Sequence, residues 1–386
     1  MEGYIEYVHN IPVNRNRASV RLGLKNKDIN IFSSKMDDIK ELKDAIVTES
    51  SQYVADYISE HLDLEKYFRS IIFSTSSKSY VDNINFDDVH AIVNFKPINE
   101  ICYINEHFKS VNKLLPDGGI YIGRTETYWE RQQRIYDFFG KKLGFIMWLI
   151  DCLLNRFLPK IRFIEPIYKF FTNDHVHPKS IAEVLGRLVY CGFDIIDFEA
   201  MDGLLYFVVI KTKEPLNEPD PSYHAIVKLK RIGKGGNFIN VYKFRTMHPY
   251  SEYLQDYIIK MNGYNKSGKP ANDFRVARWG KYMRKFWIDE IPQIINVFKG
   301  EMKLFGVRPL SKVRFDEFPD DVQQERIKYK PGCIPPYVAL NMPDSSGNIE
   351  AERIYLRDLK KSPNFTDIRY LIKAVNNIIT NKIRSS

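Results

Sequence analysis

Apolar and polar positions follow two rhythms along this chain, and the rhythm changes at definable places. From Lys35 to about His61, KMDDIKELKDAIVTESSQYVADYISEH repeats its apolar residues at helical spacing, which predicts one helix or two. VRLGL and INIF before it, and SIIFST (70–75) and AIVNF (91–95) after it, have the short apolar runs of strands. Past Pro97, INEICYINEHFKSVNKLL predicts an amphipathic helix stopped by the turn Pro116-Asp117-Gly118-Gly119. IYIGRTET predicts a strand. KSIAEVLGRLVYCG predicts a helix ended by Gly192, and FDIIDFEAMDGLLYFVVIKT predicts two strands joined at Asp202-Gly203. Alternating strands and helices place residues 1–215 in the α/β class.

One segment breaks this pattern. Residues 143–171 read LGFIMWLIDCLLNRFLPKIRFIEPIYKFF, with Arg156, Lys160, Arg162 and Lys169 as punctuation. The apolar stretch from Leu143 to Leu158 contains Asp151. At ~1.5 Å per residue it reaches about 24 Å, short of the ~30 Å hydrocarbon core of a bilayer. Pro159 then breaks the helix. The pattern predicts a helix that dips into one leaflet or lies in the interface, with its cations at headgroup level. A buried hairpin packed on the α/β domain is the alternative.

KTKEPLNEPDPSYH (211–224), rich in proline and charge, predicts a linker. Residues 216–386 then form a second domain. It opens on strands 225–229 and 238–242 around a Gly233–Gly236 turn, which fits a hairpin better than a phosphate loop. It closes on an amphipathic helix carrying Leu371, Ile372, Val375, Ile378 and Ile379.

Composition narrows the partners. The 386 residues suit two domains, and 44% hydrophobic with 14% aromatic residues excludes disorder. The formal net charge of +9 favours anionic partners. Four cysteines, none in a C-x-x-C or zinc spacing, point to a reducing setting. The first ten residues, MEGYIEYVHN, lack the apolar core of a signal peptide. No nucleic-acid-binding motif accompanies the basic charge.

The chemistry concentrates in Arg284–Pro309, RKFWIDEIPQIINVFKGEMKLFGVRP. Adjacent Asp289 and Glu290 lie among Phe286, Trp287, Ile288, Ile291 and Ile294. Apolar company implies a partly buried carboxylate pair rather than a solvated helix face. Three basic stretches bracket the pair: KFRTM with Lys243 and Arg245, DFRVARWG with Arg275 and Arg278, and GVRP with Arg308. Many cations around one acidic pair suit a diphosphate substrate with a divalent metal.

KFRTM, DFRVARWGKYMRKFWIDEIPQIINVFKGEMKLFGVRP and the downstream KYKPG resemble the bacterial sugar transferases, the monotopic polyprenyl-phosphate sugar-1-phosphate transferases, over about 225 to 380. The resemblance implies an α+β catalytic domain with amphipathic or re-entrant membrane-associated helices. It implies a Mg²⁺-dependent phosphoglycosyl transferase that starts capsule, exopolysaccharide or glycoprotein glycan assembly. Asp289 would attack the β-phosphate of a nucleotide sugar, a UDP-sugar in the usual case, and the phospho-sugar would pass to polyprenyl (undecaprenyl) phosphate. Glu290 would be the magnesium ligand, and Lys243, Arg284 and Arg308 would lie near the phosphates. Arg245, Arg275 and Arg278 match motif positions that serve either phosphate binding or structure. The implied location is the cytoplasmic face of a bacterial cytoplasmic membrane, against inner-leaflet lipids, and an oligomer is compatible with it.

Three features depart from the family pattern. Val307 replaces the first proline of G-P-R-P, and Pro331-Gly332-Cys333-Ile334-Pro335-Pro336 replaces P-G-(I/L)-T-G-W. The family's membrane hairpin also precedes the catalytic domain directly, whereas segment 143–171 lies within the first domain. That first domain resembles, over roughly 90 to 215, the second half of a class I methyltransferase-like, Rossmann-like fold, in degenerate form, since no Gly-rich nucleotide loop occurs before residue 120. A non-catalytic nucleotide-sugar or lipid-phosphate binding module, or a methyltransferase-related protein, are the alternative readings.

Overall fold

The computed structural model describes residues 24–26, 29–33, 46–62, 69–73, 89–101, 103–158, 178–217, 223–263 and 270–380. The chain divides into two compact units. One is Met1–Tyr223 with His248–Arg275, and the other is His224–Met247 with Val276–Ser386. The stretch 248–275, which comes after the linker in sequence, therefore folds with the first unit. Tyr250, Leu254 and Ile258 supply the reason, since all three are buried in that unit's core.

The first unit is built on a seven-stranded sheet. Its strands are β1 (Leu24–Asn26), β2 (Ile29–Ser33), β3 (Arg69–Phe73), β4 (Ala91–Asn94), β5 (Ile120–Thr125), β6 (Phe193–Met201) and β7 (Leu204–Lys211). They lie in the order β1-β2-β3-β4-β5-β7-β6. β3, β4 and β5 are parallel, and β7 runs antiparallel to both β5 and β6. Asp202 and Gly203 both take positive φ, 49° and 73°, as a tight hairpin turn between twisted strands requires. Of VRLGL only Leu24 is described, and residues 35–45 of the expected first helix lie outside the described residues.

Strand alternation sorts the core into two layers. Ile92, Tyr121, Phe207 and Val209 face α2 (Ile104–Leu114) and α4 (Ile181–Tyr190). Val93, Ile120, Ile122 and Val208 face α1 (Gln52–His61). With helices on both faces, the central strands carry continuous apolar runs, Ala91–Val93 in β4 and Ile120–Ile122 in β5, before they end on polar residues.

α3 (Tyr128–Cys152) carries the segment expected to meet the membrane. Thr127 and Glu130 form a capping box at its start. At Gly140 the backbone leaves helical geometry (φ 72°, ψ 169°), which only glycine adopts readily. The chain folds back there into two antiparallel arms. Arg131 donates from Nε and Nη2 to Asp151 Oδ1 at 2.8 and 2.6 Å, and Gly144 packs on Tyr136. Asp151, the charge within the apolar run, is thus buried and paired. Phe138, Leu143, Phe145, Ile146, Leu149, Leu153 and Leu154 are exposed. Residues 159–171 lie outside the described residues. Among the described residues, no helix is long and apolar enough to cross a membrane.

The second unit opens on the hairpin of β8 (Ile226–Ile232) and β9 (Phe238–Phe244), and the Gly233–Gly236 run is its turn. β10 (Lys303–Phe305) and β11 (Gly332–Ile334) pair in parallel. Its core gathers Trp287, Phe305, Val307, Leu310, Tyr337, Val338, Tyr355 and Tyr370. The closing helix, Pro363–Ile379, buries Tyr370 and Ala374 and leaves Phe365, Ile368, Ile372, Val375 and Ile379 exposed along one stripe.

The docking of 248–275 on its own unit rests on close backbone approach. A Cβ at Gly186 would lie 2.3 Å from Tyr250 O, while Arg187 stacks over the Tyr250 ring at 4.1 Å and Asn105 Nδ2 donates to Tyr250 Oη at 2.6 Å. Gly186→Ala should therefore lower stability by about 1–3 kcal/mol or more, as overpacking does. Thermal unfolding monitored by circular dichroism checks it; an unchanged midpoint contradicts the packing.

Candidate active site

Helix Arg278–Lys285 ends just before Trp287, and Trp287 sets the path of the next turn. Its backbone is left-handed (φ 59°, ψ 16°), a costly conformation for a bulky residue. The indole is held in the core, and the chain turns into a short 3₁₀ helix, Ile288–Gln293. Asp289 and Glu290 ride on that turn. Downstream, the fully buried Asn296 ties the next helix to β9: Nδ2 donates to Asn240 O at 2.7 Å, and Oδ1 accepts from Tyr242 N at 3.1 Å.

The pair is partly buried, though not by the residues expected to shield it. Phe286, Ile288, Ile291 and Ile294 are exposed, whereas Asp289 is 3% exposed. On this turn the acid points inward and its apolar neighbours point out. Period alone could not show that, because the segment is neither α-helix nor strand.

Lys243, on β9, binds Glu290 directly and lies 4.0 Å from Asp289 Oδ2. Asp289 Oδ1 is buried without a hydrogen-bond partner. Burial raises the Glu290 pKa most; Lys243 and Arg308 oppose the rise and Asp289 adds to it. Among the described residues there is no cluster of three or more His, Cys, Asp or Glu able to hold a metal. Magnesium, however, takes one or two carboxylates together with substrate phosphate oxygens and water. An unpartnered Asp289 oxygen beside Glu290 fits that donor set.

The other expected residues separate into groups. Arg284 donates from Nε and Nη2 to Thr246 Oγ1 at 3.0 and 2.8 Å, so it braces the end of the KFRTM strand. Gly280 lets the helix approach there, since a Cβ would stand 2.1 Å from Thr246 O. Arg245 donates from Nε to His224 O at 3.0 Å. Arg278 is exposed at the first position of its helix. Arg275 is not brought to the pair: it lies in the first unit, 4% exposed, with Nε and Nη2 on Asp273 at 2.8 Å. Arg308 is brought to the pair, acts electrostatically on Glu290, and stacks over Tyr337 at 5.6 Å.

Residues 203–381 match the family model described as bacterial sugar transferase. This region is a bacterial sugar transferase domain. Relatives include a galactosyl transferase, CpsE, from Streptococcus agalactiae serotype III, 29% identical over 168 residues (42% of this chain, 34% of that protein). A UDP-N-acetylgalactosamine-undecaprenyl-phosphate N-acetylgalactosaminephosphotransferase from Aeromonas hydrophila is 26% identical over 223 residues (54% of this chain, 48% of that protein). An undecaprenyl-phosphate galactose phosphotransferase from Salmonella typhimurium is 36% identical over 113 residues (28% of this chain, 24% of that protein). The chain spans less than half the length of each of these three relatives.

Within the sugar transferase domain the two departures in motif face one another. Val307 O accepts from Gly332 N at 2.9 Å, and Gly306 N donates to Ile334 O at 3.2 Å. Val307 is buried in the core, so an apolar side chain occupies the place expected for proline. Cys333, on β11, is close enough to Glu290 to be affected by it; burial first, then Glu290, pushes its thiol up to about 12. Behind Arg308, its backbone N donates to Glu352 Oε1 at 3.1 Å, and Glu352 pairs with buried Arg326. Sequence reasoning missed Arg231 and the bracing role of Thr246, and named Cys333 only as part of the altered 331–336 segment. Hairpin register carried the signal for Arg231, since two-residue alternation from Lys243 across the turn leads to it.

Folding raises the Glu290 pKa, so the folded state binds that proton more tightly than the unfolded chain. Stability is then lost as pH rises from the unfolded value of about 4.3 through the folded value. Glu290→Gln removes that loss. Its thermal midpoint minus the wild-type midpoint should be more positive at pH 7 than at pH 4, measured by differential scanning calorimetry; a constant difference contradicts the raised pKa.

Proposed function

We propose that the domain transfers a sugar-1-phosphate from a nucleotide sugar, a UDP-sugar, to undecaprenyl phosphate, initiating capsule, exopolysaccharide or glycoprotein glycan assembly. The observation that carries this reading is the unequal state of the two carboxylates. Glu290 is held by Lys243, while one oxygen of buried Asp289 has no partner. The relatives named above as phosphotransferases act on the corresponding lipid carrier by name.

Asp289 is the nucleophile in this reading. Its carboxylate oxygen bonds to the donor's β-phosphorus, and the P–O bond to the nucleoside monophosphate breaks, so UMP leaves with that electron pair. An oxygen of the lipid phosphate then attacks the same phosphorus and releases Asp289. Two displacements replace one transfer between two anions. Magnesium, held by Glu290 with phosphate oxygens, would supply charge neutralisation at the diphosphate. Lys243 keeps Glu290 in place and faces the phosphates; Arg308 adds a second cation, and Arg284 acts through Thr246.

The exposed apolar hairpin arm, Leu143–Leu154, together with the stripe on Pro363–Ile379, supports association with the surface of a membrane, in this reading the cytoplasmic face of the bacterial cytoplasmic membrane. Three parallel strands followed by an antiparallel pair, with helices on both faces, support reading the first unit as a degenerate Rossmann-like, methyltransferase-like accessory domain.

Asp289→Asn should abolish UMP release from UDP-sugars supplied with undecaprenyl phosphate and magnesium, and should leave no phospho-sugar on the protein by intact mass. Turnover retained in the variant overturns the aspartyl mechanism. No release by the wild type across a panel of UDP-sugars favours the binding-module reading. For the membrane claim, Ile146→Glu with Leu149→Glu changes exposed positions, so folding should persist while co-sedimentation with anionic phosphatidylglycerol vesicles falls several-fold; undiminished sedimentation contradicts it.

A further inference from the structure

The β8–β9 hairpin offers the carboxylate pair a cation that no motif reading assigned. Its register sets Val227 opposite Lys243, Leu229 opposite Val241 and Arg231 opposite Ile239. Positions two apart along a strand share a face. Arg231 and Lys243 therefore project from the same side of the hairpin. That side is turned to the site, because Lys243 reaches both Asp289 and Glu290.

Beside Arg231, Ile232 N donates to Leu310 O at 2.9 Å, which fastens the strand to the segment carrying Arg308. The two guanidiniums repel each other, and Glu290 is the acid that attracts Arg231. The direct hydrogen bond of Arg231 is Nη1 to the neighbouring Lys230 O at 2.8 Å. A guanidinium has five N–H donors, so most of the fork is uncommitted. Three cations, Lys243, Arg231 and Arg308, then act on Glu290, and Lys243 reaches Asp289 as well. Like charges held together at a half-buried site call for an anion between them. A diphosphate meets that need and matches the planar fork of arginine. A strand arginine serving only solubility would instead turn its head away from its like-charged neighbour into water.

We infer that Arg231 is a donor-binding residue that grips, with Arg308, the diphosphate of the nucleotide on the side of the leaving nucleotide. The inference rests on the transfer reading above and extends it. Lys243 serves the carboxylate side, so the diphosphate is held from both ends.

The test uses the full chain and two variants, Arg231→Gln and Arg231→Lys, with UDP plus magnesium as the probe in calorimetric titration. Arg231→Gln should weaken UDP binding by about tenfold or more, the loss of one charge-assisted contact. Arg231→Lys keeps the charge without the fork and should recover part of the loss. In turnover, KM for the UDP-sugar should rise while KM for undecaprenyl phosphate stays within about twofold of the wild type. UDP affinity unchanged in Arg231→Gln overturns the inference. So does an equal rise in both KM values, which would mark a merely structural role. Wild-type protein that binds UDP but transfers no sugar defeats the transfer reading alone, and the binding comparison still decides the role of Arg231.

Discussion

A single backbone constraint organises the second unit. Trp287 is held left-handed with its side chain in the core, a conformation costing on the order of 1–3 kcal/mol that surrounding packing must enforce. The turn it imposes drives Asp289 inward and its apolar neighbours outward. Burying a carboxylate demands compensation. Lys243, from one strand, reaches both acids, while Arg308, from the segment after β10, and Arg231, from the opposite strand of the hairpin, act on the adjoining Glu290. None of them adjoins the acidic pair in sequence; tertiary structure brings them to it.

The cations are themselves held by structure of a different kind. Asn296 fixes the turn to the β9 backbone with two hydrogen bonds. The paired backbones of 305–307 and 332–334 position Arg308, and the buried Arg326–Glu352 pair stands behind it. A buried pair of that sort is weak evidence for net stability. Its plainer effect is to orient the Arg308 backbone, through the bond to Glu352. Rigid support of this kind suits the diphosphate transfer proposed for the site, a reaction governed mostly by positioning and charge.

In the first unit the same logic appears in an apolar setting. Gly140 reverses a helix so that Asp151 can meet Arg131, and the apolar residues between them are left facing solvent. The charge that seemed to interrupt an apolar run is the pin of the hairpin. Burying Tyr250 beneath Arg187 and on Gly186 likewise draws a stretch of the second half of the chain into the first unit's core.

The sequence by itself determined the elements whose periodicity is regular: strands β3, β4 and β5, the β6–β7 hairpin at Asp202-Gly203, the helix ended by Gly192, the β8–β9 hairpin, and the identity of the Asp289-Glu290 pair. Local spacing shows these, because each carries its own apolar period or turn residues in the chain, even where its pairing partner is distant. Tertiary structure alone decided which face of the Ile288–Gln293 turn is buried, that Arg275 serves Asp273 rather than the pair, and that Arg231 joins Arg308. Those outcomes depend on a left-handed tryptophan and on pairings between distant segments. Neither leaves a period in the sequence, because long-range electrostatics and backbone strain act through space rather than along the chain.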